Sequence, residues 1–257
     1  MDPLRLSEPL LLFALRREAS SFLKEFEPQQ RFPGAPCRAY FAGPSWLTVL
    51  VLETGIGVAA TETALHWALG NPLFGNLPYR PRIVISAGFS GGLSPALKVG
   101  DLVLATELAD VEGHTWTATW PGDLPSGTWN PPVTRGRVLT TTGLVDDPEQ
   151  KRRLGEEYQA IAVDMESAVA ARFCRQRGIP YGCLRSISDD WNTPLSPAVA
   201  WLAPDGRVSW WRLLAALIRS PRLMGELWRL AKQTRTAARQ LGLGLGEFLT
   251  LTLDWME

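Results

Sequence analysis

Five short apolar runs, PLLLFAL, CRAYFA, WLTVLVLE, RIVISAG and DLVLATEL, mark out the first 108 residues. Each is rich in branched or aromatic side chains and gives way to Gly, Pro or charge, so each is predicted to be a strand. Helical spacing of apolar residues follows over residues 17–26, 58–69 and 167–176. Two further buried-strand patterns, residues 161–163 and 181–187, bracket the last of these helices. Strands interleaved with helices predict an α/β fold, a single-domain three-layer sandwich around a central mixed, mostly parallel sheet. That domain is expected over residues 8–192, and a C-terminal helical extension over 193–257.

Two segments break the alternation. Residues 113–136 place Trp116, Trp120 and Trp129 among Pro, Gly and Thr, and are expected to form a loop or hairpin insertion long enough to serve as a lid or an oligomer interface. Beyond Asn192 the pattern becomes two helices broken at Pro221. There Arg207, Arg212, Arg219, Arg222, Arg229, Lys232, Arg235 and Arg239 interleave with Trp210, Trp211, Leu214, Leu217, Leu223, Leu227 and Trp228. Such helices either pack on the domain with their Arg stems reaching to water, or form a basic amphipathic platform at a membrane surface. The pattern leaves both open.

Composition narrows the class. With 257 residues the chain buries one sizeable core, and no apolar run approaches the roughly 20 residues that cross a bilayer. The opening MDPLRLSEPLLLFALRREA is read as leading into a first strand and not as a signal peptide, because charge and no small-residue cleavage pattern follows it. Lys plus Arg equal Asp plus Glu at 26 each, which argues against a general nucleic-acid binder. Cys37, Cys174 and Cys183 form no C-x-x-C pair and are expected to be reduced thiols of a cytoplasmic protein. His66 and His114 lie far from any Cys pairing, so no metal site is expected.

The candidate chemistry lies where strands end. In AVDMESAVAARF, Asp164 and Glu166 sit where a hydrophobic strand meets an Ala-rich helix, a position whose desolvation cost asks for a bound partner. YGCLRSISDD ends another strand in Ser188, Asp189 and Asp190, and Glu18 follows the first strand. In a parallel sheet the carboxyl ends share one edge, which brings Glu18, Glu166 and Asp189 to one crevice. VLVLETGIGVAATETALHW carries Gly55-x-Gly57-x-x-Ala60 between strand and helix, the outline of a dinucleotide fingerprint. The next strand ends in Ser86 and Ala87 without the required acid, so Gly55 and Gly57 are read as allowing close backbone approach instead. SAGFSGGLSPALKVGD is read as a Gly-rich turn whose amides near Gly88, Phe89 and Ser90 form a small hydrogen-bonding concavity, or else as a plain tight turn.

Three carboxylates of this kind suit cleavage of a glycosidic bond. The reaction passes through an oxocarbenium-like sugar and needs an acid at the leaving group. A purine leaves once it is protonated, which fits Asp189; Glu166 suits ribose hydroxyls, and Met165 an apolar floor under the sugar.

The order and spacing of FALRREASSFL, TGIGVAATETA, SAGFSGGLSPALKVGDLV and AIAVDMESAVAARFCRQRGIPYGCLRSISD resemble the nucleoside phosphorylase and nucleosidase superfamily, in particular the methylthioadenosine/S-adenosylhomocysteine nucleosidases. The resemblance spans most of residues 10–189. It implies that Glu166 binds ribose hydroxyls, Met165 packs on the sugar, Asp189 is the general acid supported by Ser188, and Glu18 positions an attacking water. It further implies that Thr54, Gly55, Ser86, Gly88, Phe89 and Ser90 line the nucleophile and sugar side. Asp164 departs from the Glu common in those nucleosidases, Phe89 departs in the Gly-rich segment, and the region that should hold the base, around Leu144 and Val145, matches poorly. The tail, with its PDGR turn, is similar to hopanoid-associated phosphorylases, which implies an adenosylated hopanoid lipid as substrate and a purpose for a basic amphipathic tail.

The expected activity is therefore N-glycosidic cleavage of an adenine-type nucleoside by a homo-oligomer, without a cofactor and with water or inorganic phosphate as acceptor. Glu18 favours water, whereas Arg16 and Arg17 beside it leave room for phosphate. A catalytically inactive nucleoside- or lipid-binding protein of the same fold is the alternative. Asp189→Asn is expected to abolish turnover and leave folding intact.

Overall fold

Alternation along the central strands sorts their side chains to two faces. In β1 (Leu10–Phe13), Leu10 and Leu12 enter one apolar cluster while Leu11 and Phe13 enter the other. In β4 (Val49–Glu53), Leu50 and Leu52 join the first cluster and Val49 and Val51 the second. Strands buried on both faces read as unbroken apolar runs, which is why PLLLFAL and TVLVLE show no polar interruption. The computed structural model describes residues 8–43, 47–70, 79–120, 129–194 and 222–251, with side chains in the last segment from residue 230 to 250.

The remaining strands are β2 (Gln30–Arg31), β3 (Arg38–Ala42), β5 (Val84–Gly92), β6 (Leu102–Asp110), β7 (Thr115–Thr117), β8 (Val133–Thr140), β9 (Ala162–Asp164) and β10 (Tyr181–Asp189). The helices are α1 (Arg16–Ala19), α2 (Phe22–Glu25), α3 (Val58–Gly70), α4 (Pro148–Tyr158), α5 (Ser167–Gln176) and α6 (Arg222–Leu251). The first cluster is covered by α3, through Ala64, Leu65 and Ala68, and by α5, through Ala170, Ala171, Phe173 and Cys174. The second is covered by Ala19, Phe22 and the inner face of α6, through Leu241, Leu245, Phe248 and Leu249. Three layers result, with a mixed sheet in the middle.

The sheet closes on itself along part of its length. β5 pairs with β10, β10 with β6, β6 with β8, β8 with β9, and β9 again with β5, while β1, β4, β3 and β2 extend outward from β5. β10 runs parallel to β5 and β9 antiparallel to it, so β9 and β10 point in opposite directions. This corrects the expectation that both carry their carboxyl ends to one edge of a parallel sheet. They meet instead at Gly91, which pairs with Asp189 on one side and Val163 on the other. A Cβ at Gly91 would lie 3.1 Å from Asp189 Oδ2 and 3.2 Å from Val163 Cγ1, so the absence of a side chain is what lets the two strands converge there.

Other expectations shift locally. The helix expected over 17–26 is two single turns, and the Gly-rich segment after Ser86 is no turn, because β5 runs on through Gly92. Residues 113–136 are partly sheet, with β7 on β6 and the start of β8 also beside β6. Trp129 is buried and stacks on Phe248, and the Trp120 indole donates to Ala105 O at 2.8 Å. α4 appears where no apolar periodicity predicted a helix; it starts on Asp147, whose carboxylate accepts from Gln150 N at 2.8 Å, with Pro148 in its first turn.

The arginines and tryptophans of residues 207–221 lie outside the described residues. In α6, Ala237, Ala238, Leu241 and Leu245 face inward while Arg235 and Arg239 are exposed. Gly242 brings α6 against α2, since a Cβ there would lie 2.7 Å from Ser21 Cβ. Among the described residues no helix is long and apolar enough to cross a membrane. Cys37, Cys174 and Cys183 are free thiols, and His66 sits on the surface edge-on to Phe173.

Candidate active site

Glu18 follows β1 in the single turn of α1, yet it is only 4% exposed. Its carboxylate is held by two backbone amides: Leu15 N donates to Oε2 at 2.7 Å, and Phe89 N donates to Oε1 at 2.8 Å. The second bond requires β5 to approach closely, and Gly88 permits it, because a Cβ there would run into the Glu18 carboxyl and the Arg185 guanidinium. The Phe89 amide expected to face a ligand is thus taken up by Glu18. Burial raises the Glu18 pKa above the usual carboxylate value, opposed by the Phe89 amide and the charge of Arg185.

Glu166 lies between β9 and α5 and accepts from Gly57 N at 2.8 Å. Gly57 has φ +92°, a conformation that presents its amide at no steric cost only because it is glycine. Burial, followed by the negative charge of Asp164, pushes the Glu166 pKa up to about 7, against the lowering effects of Arg185 and the Gly57 amide.

Asp189 ends β10. Ser188 Oγ donates to its Oδ1 at 2.7 Å and Lys151 Nζ to its Oδ2 at 2.5 Å. Glu18, Glu166 and Asp189 line one cavity of about 190 Å³, together with Asp164, Met165, Ser188, Phe89 and Ser90. Val145 and the 48% exposed Leu144 line it as well, and Ile56, 41% exposed, stands at its edge.

Of the residues singled out from the sequence, Thr54 and Ser86 stand beside a smaller space of about 10 Å³, which they share with Glu166 and Arg185. Gly55 and Gly88 do not line the main cavity; Gly55 shapes the bend after β4 with φ +92°, and Gly88 makes room for Glu18. Arg16 and Arg17 are exposed and border a separate groove against Arg235 and Arg239 of α6. Among the described residues no Lys or Arg lines the main cavity.

Two buried cations behind the cavity escaped the sequence reading. Arg185 in β10 is 2% exposed and donates to Ser86 Oγ at 2.7 Å and to Ser167 Oγ at 2.5 Å, and it pairs with Asp164 at 2.6 Å. Lys151 in α4 is fully buried. Only with α4 in place do Lys151, Leu154 and Tyr158 share one helix face at i, i+3 and i+7, so that the helix which buries Leu154 carries Lys151 inward with it.

The phosphorylase superfamily is matched by its family model over residues 14–128 and 124–199. The fold is that of solved nucleosidases. A 5'-methylthioadenosine/S-adenosylhomocysteine nucleosidase from Campylobacter jejuni superposes with TM-score 0.69 at 17% identity, covering 95% of this chain and 98% of that one. The enzyme of that name from Neisseria meningitidis, in complex with methylthio-immucillin-A, gives 0.68 at 18% over 95% and 99%. Futalosine hydrolase of Helicobacter pylori gives 0.62 at 20% over 94% and 98%.

Proposed function

The chain belongs to the phosphorylase superfamily, and from that premise we propose that it cleaves the N-glycosidic bond of a purine nucleoside. The observation that carries this reading is the convergence of Glu18, Glu166 and Asp189 on one cavity, each fixed by named hydrogen bonds. Glu166 accepts the ribose hydroxyls and strengthens its hold as positive charge grows on the ring, with Met165 beneath the sugar. Asp189 faces the leaving base as its acid, oriented by Ser188. Glu18 takes the proton of the nucleophile.

Water is the acceptor we favour over phosphate. Acids line the cavity and no Lys or Arg does among the described residues, so a phosphate dianion would meet like charge without a cation to offset it. Arg16 and Arg17, the cations that left room for phosphate, belong to the groove beside α6. The base we favour is adenine, held over Val145 and Phe89. A large apolar 5′ substituent, such as that of an adenosylated hopanoid lipid, is supported by the exposed Ile56 and Leu144 at the cavity edge.

The test is chromatographic detection of adenine released by purified protein from adenosine, methylthioadenosine and an adenosylated apolar substrate, each with and without phosphate. Release independent of phosphate is expected. Release only with phosphate overturns the choice of water, and no release from any substrate leaves a binding protein of the same fold.

A further inference from the structure

Lys151 is the one lysine among the described residues whose side chain is wholly buried, and it is aimed at the acid of the site. Its Nζ donates to Asp189 Oδ2 at 2.5 Å, to Asp190 O at 2.9 Å and, at a longer 3.5 Å, to Thr193 O. An ammonium has three protons and no lone pair, and three acceptors surround this one. The arrangement therefore satisfies the charged form of Lys151. Asp189 in turn accepts on both oxygens, from Lys151 and from Ser188 Oγ, as a carboxylate does. A carboxylate has no proton to give, yet a departing purine needs one.

We propose that Lys151 and Asp189 act as a single proton-donating unit, in which Lys151 supplies through Asp189 the proton that the leaving base takes. This rests on the nucleosidase reading above. As the bond from C1′ to the base nitrogen breaks, its electron pair goes to the base. A proton passes from Nζ to the Asp189 carboxylate and from that carboxyl group to a ring nitrogen of the base. Lys151 is left as a neutral amine, Asp189 as a carboxylate and the base as a neutral molecule. The oxygen of water forms the new bond to C1′ and sheds one proton to Glu18, which returns through solvent to recharge Lys151. Lys151 touches no substrate atom in this scheme; it acts through Asp189.

Arginine separates proton supply from mere positioning, because it keeps the charge and the hydrogen bond but does not release a proton. Base release is measured for the wild type, Lys151→Met and Lys151→Arg, with a purine nucleoside and with p-nitrophenyl riboside, whose leaving group departs without a proton. Both variants are expected to lose about 10²-fold in kcat on the purine substrate, with KM changed less than about threefold, and to keep most of their activity on the aryl riboside. A Lys151→Arg enzyme as active as wild type on the purine nucleoside overturns the proposal while leaving the nucleosidase reading intact. A wild type that releases no base removes that reading and the proposal together. Thermal melts report whether the variants fold. If neither does, carboxyl ¹³C NMR of the wild type at pH 7 decides: a carboxylate signal for Asp189, assigned by its loss in Asp189→Asn, is expected, and a carboxylic-acid signal overturns the proposal.

Discussion

Arg185 and Asp164 form an ion pair of 2.6 Å in which the side chains are 2% and 1% exposed. Asp164 also accepts from Thr140 Oγ1 at 2.7 Å and from the Ser167 hydroxyl, so it ties β9 to β8, α5 and β10 at the wall of the cavity. That accounts for a carboxylate pair at a strand–helix junction: both line the cavity, Asp164 as an anchor of its framework and Glu166, two residues on, held by the Gly57 amide. Asp164→Ala leaves the Arg185 charge buried without its partner, and is expected to lower stability by about 3–5 kcal/mol. Urea denaturation followed by tryptophan fluorescence measures it; a loss under about 1 kcal/mol would show that the pair does not organise the site.

The raised Glu166 pKa gives the ligand-free protein a characteristic pH dependence. In the fold this acid stays protonated up to about 7, whereas in the unfolded chain it ionises near 4.5. The native state therefore binds the extra proton in that window. The Glu166 contribution to stability is full below pH 4.5, is lost as pH rises towards 7 and is flat above it. Glu18 is raised as well and acts with the same sign, so the informative quantity is the difference between wild type and Glu166→Gln in urea midpoints at pH 5 and pH 7.5. The wild type should lose more than the variant on going to the higher pH.

The same group predicts how nucleoside affinity responds to pH. If, as proposed, ribose hydroxyls are held by the carboxylate form, each unit of pH below about 7 weakens binding by up to about tenfold. Isothermal titration at pH 6 and pH 8 should show tighter binding at pH 8 for the wild type and no such gain for Glu166→Gln. Equal pH dependence in the two proteins would remove Glu166 from the sugar.

Asp189→Asn changes its meaning once Lys151 is in view. From the sequence, the substitution is expected to stop turnover with folding intact. In the structure it strips a fully buried ammonium of its counter-charge, so it should abolish base release and also destabilise the protein by about 3–5 kcal/mol. Asp189→Asn combined with Lys151→Met should recover much of the stability and none of the activity. A melting temperature for Asp189→Asn equal to wild type would contradict the buried pair.

Phe248 in α6 lies 5.2 Å from Trp120 and 6.2 Å from Trp129 between ring centroids, and is buried. Phe248→Ala is expected to cost about 3–5 kcal/mol of stability through the cavity it leaves. Differential scanning calorimetry checks this; an unchanged melting temperature would mean that α6 is dispensable for the sandwich.

The sequence by itself determined the class of fold and singled out the acids that line the cavity, because both are written in local patterns. Unbroken apolar runs such as PLLLFAL mark strands covered on two faces, and the carboxylates stand out because Glu18, Glu166 and Asp189 each come within a few residues of the end of a strand pattern. What lay beyond it was everything that depends on distant segments meeting. Only the tertiary structure decided that β9 and β10 run in opposite directions and converge at Gly91, since strand direction is set by pairing partners and not by the strand's own residues. Only the tertiary structure decided that Phe89 gives its amide to Glu18, 71 residues away, and that Lys151 reaches Asp189 across 38 residues. Lys151 was hidden for a physical reason. In a helix reading PEQKRRLGEEY a lysine looks solvated, and it becomes a buried charge only because the end of β10 delivers a carboxylate to meet it.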